Sequence, residues 1–123
     1  MVEFAIIVPV VLLILFGILQ FGIVFNDYIQ VTNAAREGAR VGAVSRTSAD
    51  PAGAAVTAAR NSVSSLDTSQ MSVVASDPTL DAQGHWAQGS DVTVTVTYPW
   101  SVHILGLVDF SGTLSARTIA RVE

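Results

Sequence analysis

Residues 2–25 read VEFAIIVPVVLLILFGILQFGIVF, and this stretch governs how the rest of the chain is interpreted. The 23 residues from Phe4 to Asn26 carry no formal charge. About 20 apolar residues are enough for a helix to cross the hydrocarbon layer of a bilayer, which is roughly 30 Å thick. The stretch therefore predicts a membrane-spanning helix.

A secretory signal peptide is the alternative interpretation of this stretch. Its apolar core is usually shorter, follows a basic segment and ends in small residues at a cleavage site. No arginine or lysine precedes Phe4, and the chain continues into NDYIQVTNAAREGAR without such a site. We therefore expect the apolar segment to remain in the mature protein.

Composition limits the remaining possibilities. The 123 residues allow one domain, and six arginines, no lysine and ten acids give a net charge of −4. This balance argues against a nucleic-acid partner, since phosphate binding needs clustered positive charge. There is no cysteine, and the serines and two histidines form no recognisable catalytic or phosphate-binding motif. We expect no enzymatic activity, catalytic residue, cofactor or metal site.

The helical pattern continues beyond the apolar segment to about Ser45. Asp50 and Pro51 then form a helix-start signal, with a capping oxygen followed by proline in the first turn. They predict a second helix from Pro51 to about Ser64, although a bent continuation of the first helix has the same pattern.

From Gln70 onward the apolar residues alternate with a period of two, which predicts strands at MSVVAS, DVTVTVTY and GTLSARTIARVE. Residues 76–90 are rich in turn-forming residues, and PWSVHILGLVDFSG (99–112) is interpreted as an unusually apolar connection. The predicted fold is α+β, with a long N-terminal helix, a short second helix and an antiparallel sheet of about three strands. Residues 1–26 would form the apolar segment and residues 27–123 an outer domain.

Small residues every four positions let helix backbones approach closely, and they could pack on the chain's own sheet or on a neighbouring subunit. A glutamine in an apolar run is either a helix–helix hydrogen-bonding residue or one tolerated at an interface. The predicted helix-packing positions are Gly17, Gln20, Gly22, Ala34, Gly38 and Gly42.

Two further sets of residues are candidates for contacts between subunits. Arg36 and Arg40 could pair with Asp27 or Glu123 of a neighbour, or they could lie on a solvated face or contact the chain's own sheet. The apolar connection holds more large side chains than a small domain can bury, so part of it is expected to form a contact patch. The patch residues are Trp100, Ile104, Leu105 and Leu107.

Both ends of the chain resemble the TadE-like family of type IV pilin-like proteins. The resemblance lies in residues 2–25 followed by NAAREGAR, and in VTVTVTYPW, an apolar link and the closing LSARTIARVE. It implies a structural subunit of an extracellular Tad-type pilus, held in the inner membrane before assembly and polymerising into a helical filament. It also implies a prepilin peptidase and a pilus-assembly machinery as partners.

Glu3 is the residue that this resemblance makes most important. A lone carboxylate at the edge of hydrocarbon is costly unless it has a partner. In a filament it could pair with the free N-terminal amine of the preceding subunit and set the register. Pilin-like proteins usually carry this glutamate at the fifth mature position, after a leader, whereas here it is third and no leader is visible. The alternative without a role in assembly is that the Glu3 side chain extends to the lipid headgroups beside the chain terminus.

Two other functions remain open from the sequence. The chain could be a minor pseudopilin that primes or caps a filament of another subunit. It could also be a membrane-tethered adhesion or binding module that never polymerises, with a ligand site in residues 76–90.

Overall fold

The computed structural model describes residues 2–76, 78–104 and 106–123, and it has the predicted α+β architecture. Helix α1 spans Val2–Val44 and α2 spans Pro51–Asn61. Strands β1 (Ser72–Ser76), β2 (Asp91–Ile104) and β3 (Val108–Arg121) form an antiparallel sheet in the order β1-β2-β3. One face of this sheet packs on the C-terminal part of α1, beside α2.

The second helix begins where its sequence signal places it. The Asp50 carboxylate accepts a hydrogen bond from the Gly53 backbone N–H at 2.8 Å, and Pro51 occupies the first turn. This bond satisfies one of the donors that a helix leaves unpaired at its start. The chain between the helices therefore breaks and restarts, and α1 does not bend into α2.

The core is small and strictly apolar. Ala35 and Ala39 of α1 and Ala55 and Ala59 of α2 are fully buried, which lets the two helices approach closely. Valines that alternate along β2 cover them from the sheet side. These valines are Val92, Val94 and Val96, each with no exposed surface.

The apolar connection predicted at residues 99–112 is wrong, because most of these residues belong to the strands. β2 continues to Ile104 and β3 starts at Val108, so together they form a hairpin with 14 residues in each strand. Pro99 is tolerated because β1 pairs only with residues 93–97 of β2, and beyond Thr97 that edge needs no N–H donor.

The loop between β1 and β2 is also more than a turn-rich connection. It places Trp86, only 3% exposed, in the main core, and an isolated bridge joins Trp86 to Leu80. The C-terminus is fixed nearby, since Val122 is buried and the Glu123 N–H donates to the Ala43 carbonyl at 3.1 Å. The loop, the last strand and the end of α1 thus form one packed unit.

Candidate functional site

Helix α1 has two parts with opposite surroundings. From Val31 onward, one of its faces is buried in the core. Toward the N-terminus its large apolar side chains are exposed, from Phe4 at 74% to Phe25 at 54%. The hydrophobic effect makes such a surface unstable in water, so this segment needs an apolar environment outside the chain.

This exposed part is long and apolar enough to cross a membrane. Its most apolar 18-residue window has a mean hydropathy of 2.8, and none of that window is buried inside the protein. A core helix of a soluble protein would pass the same length test but would be covered by its own chain. The segment therefore has the properties of a membrane anchor, as the sequence predicts.

Glu3 lies in the first turn of α1 and is exposed. A carboxylate in this position is favoured by the partial positive charge of the helix N-terminus. Among the residues that the structure describes, no cation lies within ion-pair distance of Glu3.

Gly17 and Gln20 line an open cleft of about 320 Å³ between α1 and the end of the β2–β3 hairpin. The other five lining residues are apolar or aromatic, and two of them belong to α1, two to β2 and one to β3. Gly22 lies outside the cleft, and a Cβ placed there would meet nothing within 4 Å. The other lining residues are Phe21, Val24, Trp100, Val102 and Phe110.

Trp100 forms the hairpin wall of this cleft because its cross-strand partner is a glycine. A Cβ on Gly112 would lie 2.9 Å from Nε1 of Trp100, so the indole occupies the space that a side chain would take. Of the predicted contact patch, Trp100 and Ile104 are half-buried and Leu107 is 78% exposed. Leu105 lies outside the described residues.

The strip of small residues formed by Ala34, Gly38 and Gly42 lies inside the subunit. A Cβ on Gly38 would lie 3.0 Å from the Ala55 carbonyl oxygen, and one on Gly42 would lie 3.2 Å from the Ala55 Cβ. Ala34 is fully buried in the same core. The strip is thus buried against both α2 and the sheet of the same chain.

The charged residues of α1 are arranged along its exposed side. Arg40 donates two hydrogen bonds to the Glu37 carboxylate in a bidentate pair, with 2.7 Å between Nη2 and Oε1. This contact lowers the pKa of Glu37. Arg36 is exposed and makes no ion pair with any described residue. Asp27 is partly buried, and this burial raises the pKa of its carboxyl. The Glu123 side chain is also exposed. Its backbone lies beside Ala43, at the other end of α1 from Glu3.

One structural contact was not anticipated from the sequence. The Gln30 side-chain oxygen accepts hydrogen bonds from the Ser64 and Ser65 backbone N–H groups, each at 3.2 Å, and its nitrogen donates to the Ser65 hydroxyl. Gln30 thereby holds the segment after α2 against the first buried turn of α1. A polar residue beside buried Val31 is the only sign of this in the sequence.

Comparison with known proteins gives one result. Residues 1–40 match the family model described as TadE-like protein, a family associated with Tad pili. This match covers Glu3, the whole apolar segment and NAAREGAR, and it confirms the N-terminal part of the resemblance. The C-terminal part, VTVTVTYPW and LSARTIARVE, lies outside the matched residues. No curated protein and no solved structure matched the chain.

Proposed function

We propose that this chain is a structural subunit of an extracellular Tad-type pilus, which polymerises through residues 2–26 with Glu3 setting the register between subunits. The proposal rests on the exposed apolar part of α1, which is attached to a packed domain. This domain, residues 27–123, is called the head below. Such a helix is soluble in a bilayer and can be transferred to a bundle of like helices without losing its apolar surroundings. The TadE-like match over residues 1–40 supports the same class of protein.

The register role of Glu3 follows from the uniformity of the helix surface around it. Aliphatic contacts between like helices are interchangeable, so they do not specify an axial offset. A carboxylate that must meet the amine of another subunit does specify one. Removing one partner of a buried pair costs about 3–5 kcal/mol, and this is enough to prevent addition of a subunit in the correct register.

Ion pairs on the flank of the helix could strengthen the same assembly. Arg36 is the more available arginine, since Arg40 already has Glu37 as a partner on its own helix. Asp27 and Glu123 of a neighbouring subunit are the acids that we propose for it. Reversing the charges of Arg36 and its partner together should restore an assembly that either reversal alone weakens.

The decisive experiment examines material sheared from cells that express the chain with its export machinery. Electron microscopy should show thin filaments, and mass spectrometry should identify this chain as their dominant component. Glu3→Gln should abolish the filaments while the protein still accumulates in the membrane. Glu37→Gln is the matched control, because its carboxylate already pairs within the helix.

Three results would contradict the proposal in different ways. Normal filaments from Glu3→Gln would refute the register role alone. Filaments in which this chain is only a trace component would indicate a minor pseudopilin. A stable monomer in detergent, with no filaments and no dependence on Glu3, would indicate a tethered module.

A further inference from the structure

The end of the β2–β3 hairpin lies beside the apolar part of α1, and this position follows from how the strand runs along the helix. A Cβ on Gly42 would lie 3.6 Å from Val92, and one on Gly38 would lie 3.2 Å from Val94. A step of two residues along β2 therefore matches a step of four residues along α1. Because Gly38 precedes Gly42, β2 runs toward the N-terminus of α1. Both steps correspond to about 6–7 Å along the helix axis.

Extending this correspondence gives the depth of the hairpin. The eight residue steps from Val94 to Val102 advance about 27 Å, which equals about 18 residues of helix and leads from Gly38 to Gln20. The cleft confirms the estimate, because Val102 and Gln20 both line it. The hairpin turn, with Leu107, lies still closer to the N-terminus of α1.

A bilayer placed on α1 therefore meets the hairpin as well. With Glu3 at one edge, a hydrocarbon layer of about 30 Å takes up about 20 residues and ends near Ile23. Gln20 lies in the last turn before this edge. Val102 and its cross-strand partner Phe110 lie beside Gln20, so they reach the hydrocarbon. Leu107 in the turn lies deeper, and Trp100, two residues before Val102, lies close to the headgroups.

The composition of the hairpin fits this depth. Residues 92–108 contain no Asp, Glu, Lys or Arg. The face toward α1 carries Trp100, Val102 and Phe110, and tryptophan is enriched where hydrocarbon meets headgroups. The opposite face carries a polar pair at the same level, with 3.4 Å between His103 Nδ1 and Asp109 Oδ1 and both side chains well exposed. The pair therefore lies at least as deep as Val102, and the contact between the two side chains reduces the cost of placing them in hydrocarbon.

We propose that the end of the hairpin (residues 100–104 and 106–112) is a second membrane contact, and that a lipid acyl chain fills the cleft between it and α1. The cleft is apolar and open, so in water it would be an unfavourable exposed surface. In the leaflet nearer the head, acyl chains surround it on the open side and can enter it. This proposal rests on the membrane anchor of the proposed function, although it requires no polymerisation.

The contact would also fix how the head stands on the membrane. A single helix leaves a head free to tilt and rotate about one axis. Two contacts separated across the cleft remove part of this freedom and hold the sheet at a defined angle to the bilayer. Every subunit would then approach an assembling filament with its head already oriented.

The two tryptophans allow a direct test with the full chain in phosphatidylcholine vesicles. Trp86→Phe leaves Trp100 as the reporter in the hairpin, and Trp100→Phe leaves the core residue Trp86 as the matched control. We expect lipids brominated on their acyl chains to quench Trp100, aqueous iodide to have little effect on it, and Trp86 to respond weakly to both. Because Trp86→Phe alters the core, a second probe is needed that leaves both indoles in place.

A spin label on Leu107→Cys supplies this probe, since the chain has no other cysteine. Leu80→Cys is its control, because Leu80 is also an exposed leucine but belongs to the loop in contact with Trp86. We expect the label at position 107 to be accessible to oxygen and protected from an aqueous nickel complex. The label at position 80 should show the reverse.

Flotation of the vesicles separates the possible failures. If the protein floats with the vesicles but iodide and nickel reach positions 100 and 107, the hairpin contact is refuted and the anchor stands. If both positions are protected from water and from lipid quenching, increasingly so at higher protein-to-lipid ratio, a second copy fills the cleft and the lipid proposal is refuted. If the protein does not float, the anchor fails, and the hairpin contact fails with it.

Discussion

Gly38 of α1 lies against Ala55 of α2 so closely that a Cβ at position 38 would be 3.0 Å from the Ala55 carbonyl oxygen. The same Cβ would be 3.1 Å from the Ala59 Cβ and 3.2 Å from Val94 Cγ1. The contact involves backbone, which cannot rotate away as a flexible side chain could. The absence of a side chain at position 38 is therefore what allows helix, helix and sheet to meet at one point.

Gly38→Val should destabilise the head by roughly 1–3 kcal/mol, the range for overpacking a well-filled core. Thermal unfolding of the detergent-solubilised protein, followed by circular dichroism, measures this loss. Gly22→Ala is the control on the same helix, where the structure leaves open space. It should be neutral or slightly stabilising, because alanine favours a helix by about 1 kcal/mol over glycine. Equal losses in the two variants would contradict the packing role.

Gln30→Ala should release the segment after α2 from α1. The change removes the acceptor for the Ser64 and Ser65 N–H groups, and exposed bonds of this kind contribute about 1 kcal/mol or less each. We expect faster proteolysis between residues 62 and 70 with little change in the unfolding temperature. Asn33→Ala, an exposed amide on the same helix, should leave the cleavage rate unchanged.

The Asp81 carboxylate should make the stability of the loop depend on acid pH. It accepts hydrogen bonds from the His85 and Gln83 N–H groups, each at 2.9 Å, and these bonds lower its pKa below the ordinary value of 3.8. A lowered pKa in the folded state means that the stabilisation is present above pH 3.8 and is lost as the pH falls through the folded-state pKa. Asp81→Asn should therefore lose stability at pH 7 and show a smaller further loss between pH 5 and pH 2, as measured by thermal unfolding.

The pH comparison needs the variant, because other carboxylates act in the same direction. Hydrogen bonds from Arg40 and from Ser69 lower the pKa values of Glu37 and Asp67 respectively. The difference between wild type and Asp81→Asn isolates the loop. An identical acid dependence in both proteins would show that the Asp81 bonds do not persist in solution.

Val122→Ala should destabilise the head by about 2 kcal/mol, since two buried methyl groups are lost and a small cavity remains. Val122 is 1% exposed, and its backbone pairs with Ser90 and Gly89 of the loop. Val44→Ala is the matched control, because Val44 at the end of α1 is 52% exposed. Chemical denaturation that gave equal midpoints for the two variants would contradict this prediction.

The helices could be predicted from the sequence because their signals are local. A charge-free apolar run, a capping Asp50 and Pro51 define where α1 and α2 lie, and the observed bounds differ from the expected ones by a few residues. The alternation of Val92, Val94 and Val96 with threonines likewise predicted a strand where β2 lies. Each of these patterns follows from backbone geometry that repeats every 3.6 or two residues.

The hairpin and the loop could not be predicted, because their structure depends on distant partners. Pro99 suggested the end of a strand, yet it is tolerated where β1 no longer pairs with β2. Trp86 looked like a loop residue because nothing near it in sequence shows that α1 leaves space for an indole beside Gly42. The level that Trp100 reaches along α1 depends on how sheet and helix are aligned in the core, which no local pattern records.

The bond between the Glu123 N–H and the Ala43 carbonyl has a consequence for what the molecule can present to its surroundings. The 41 residues from Glu3 to Ala43 form one continuous helix, so these two points are separated by about 60 Å. Whatever is joined to Glu123 therefore leaves from the extremity opposite the anchor. A peptide tag, a fluorophore or an antigen attached there would be displayed outward and would not disturb the helix that holds the chain in place.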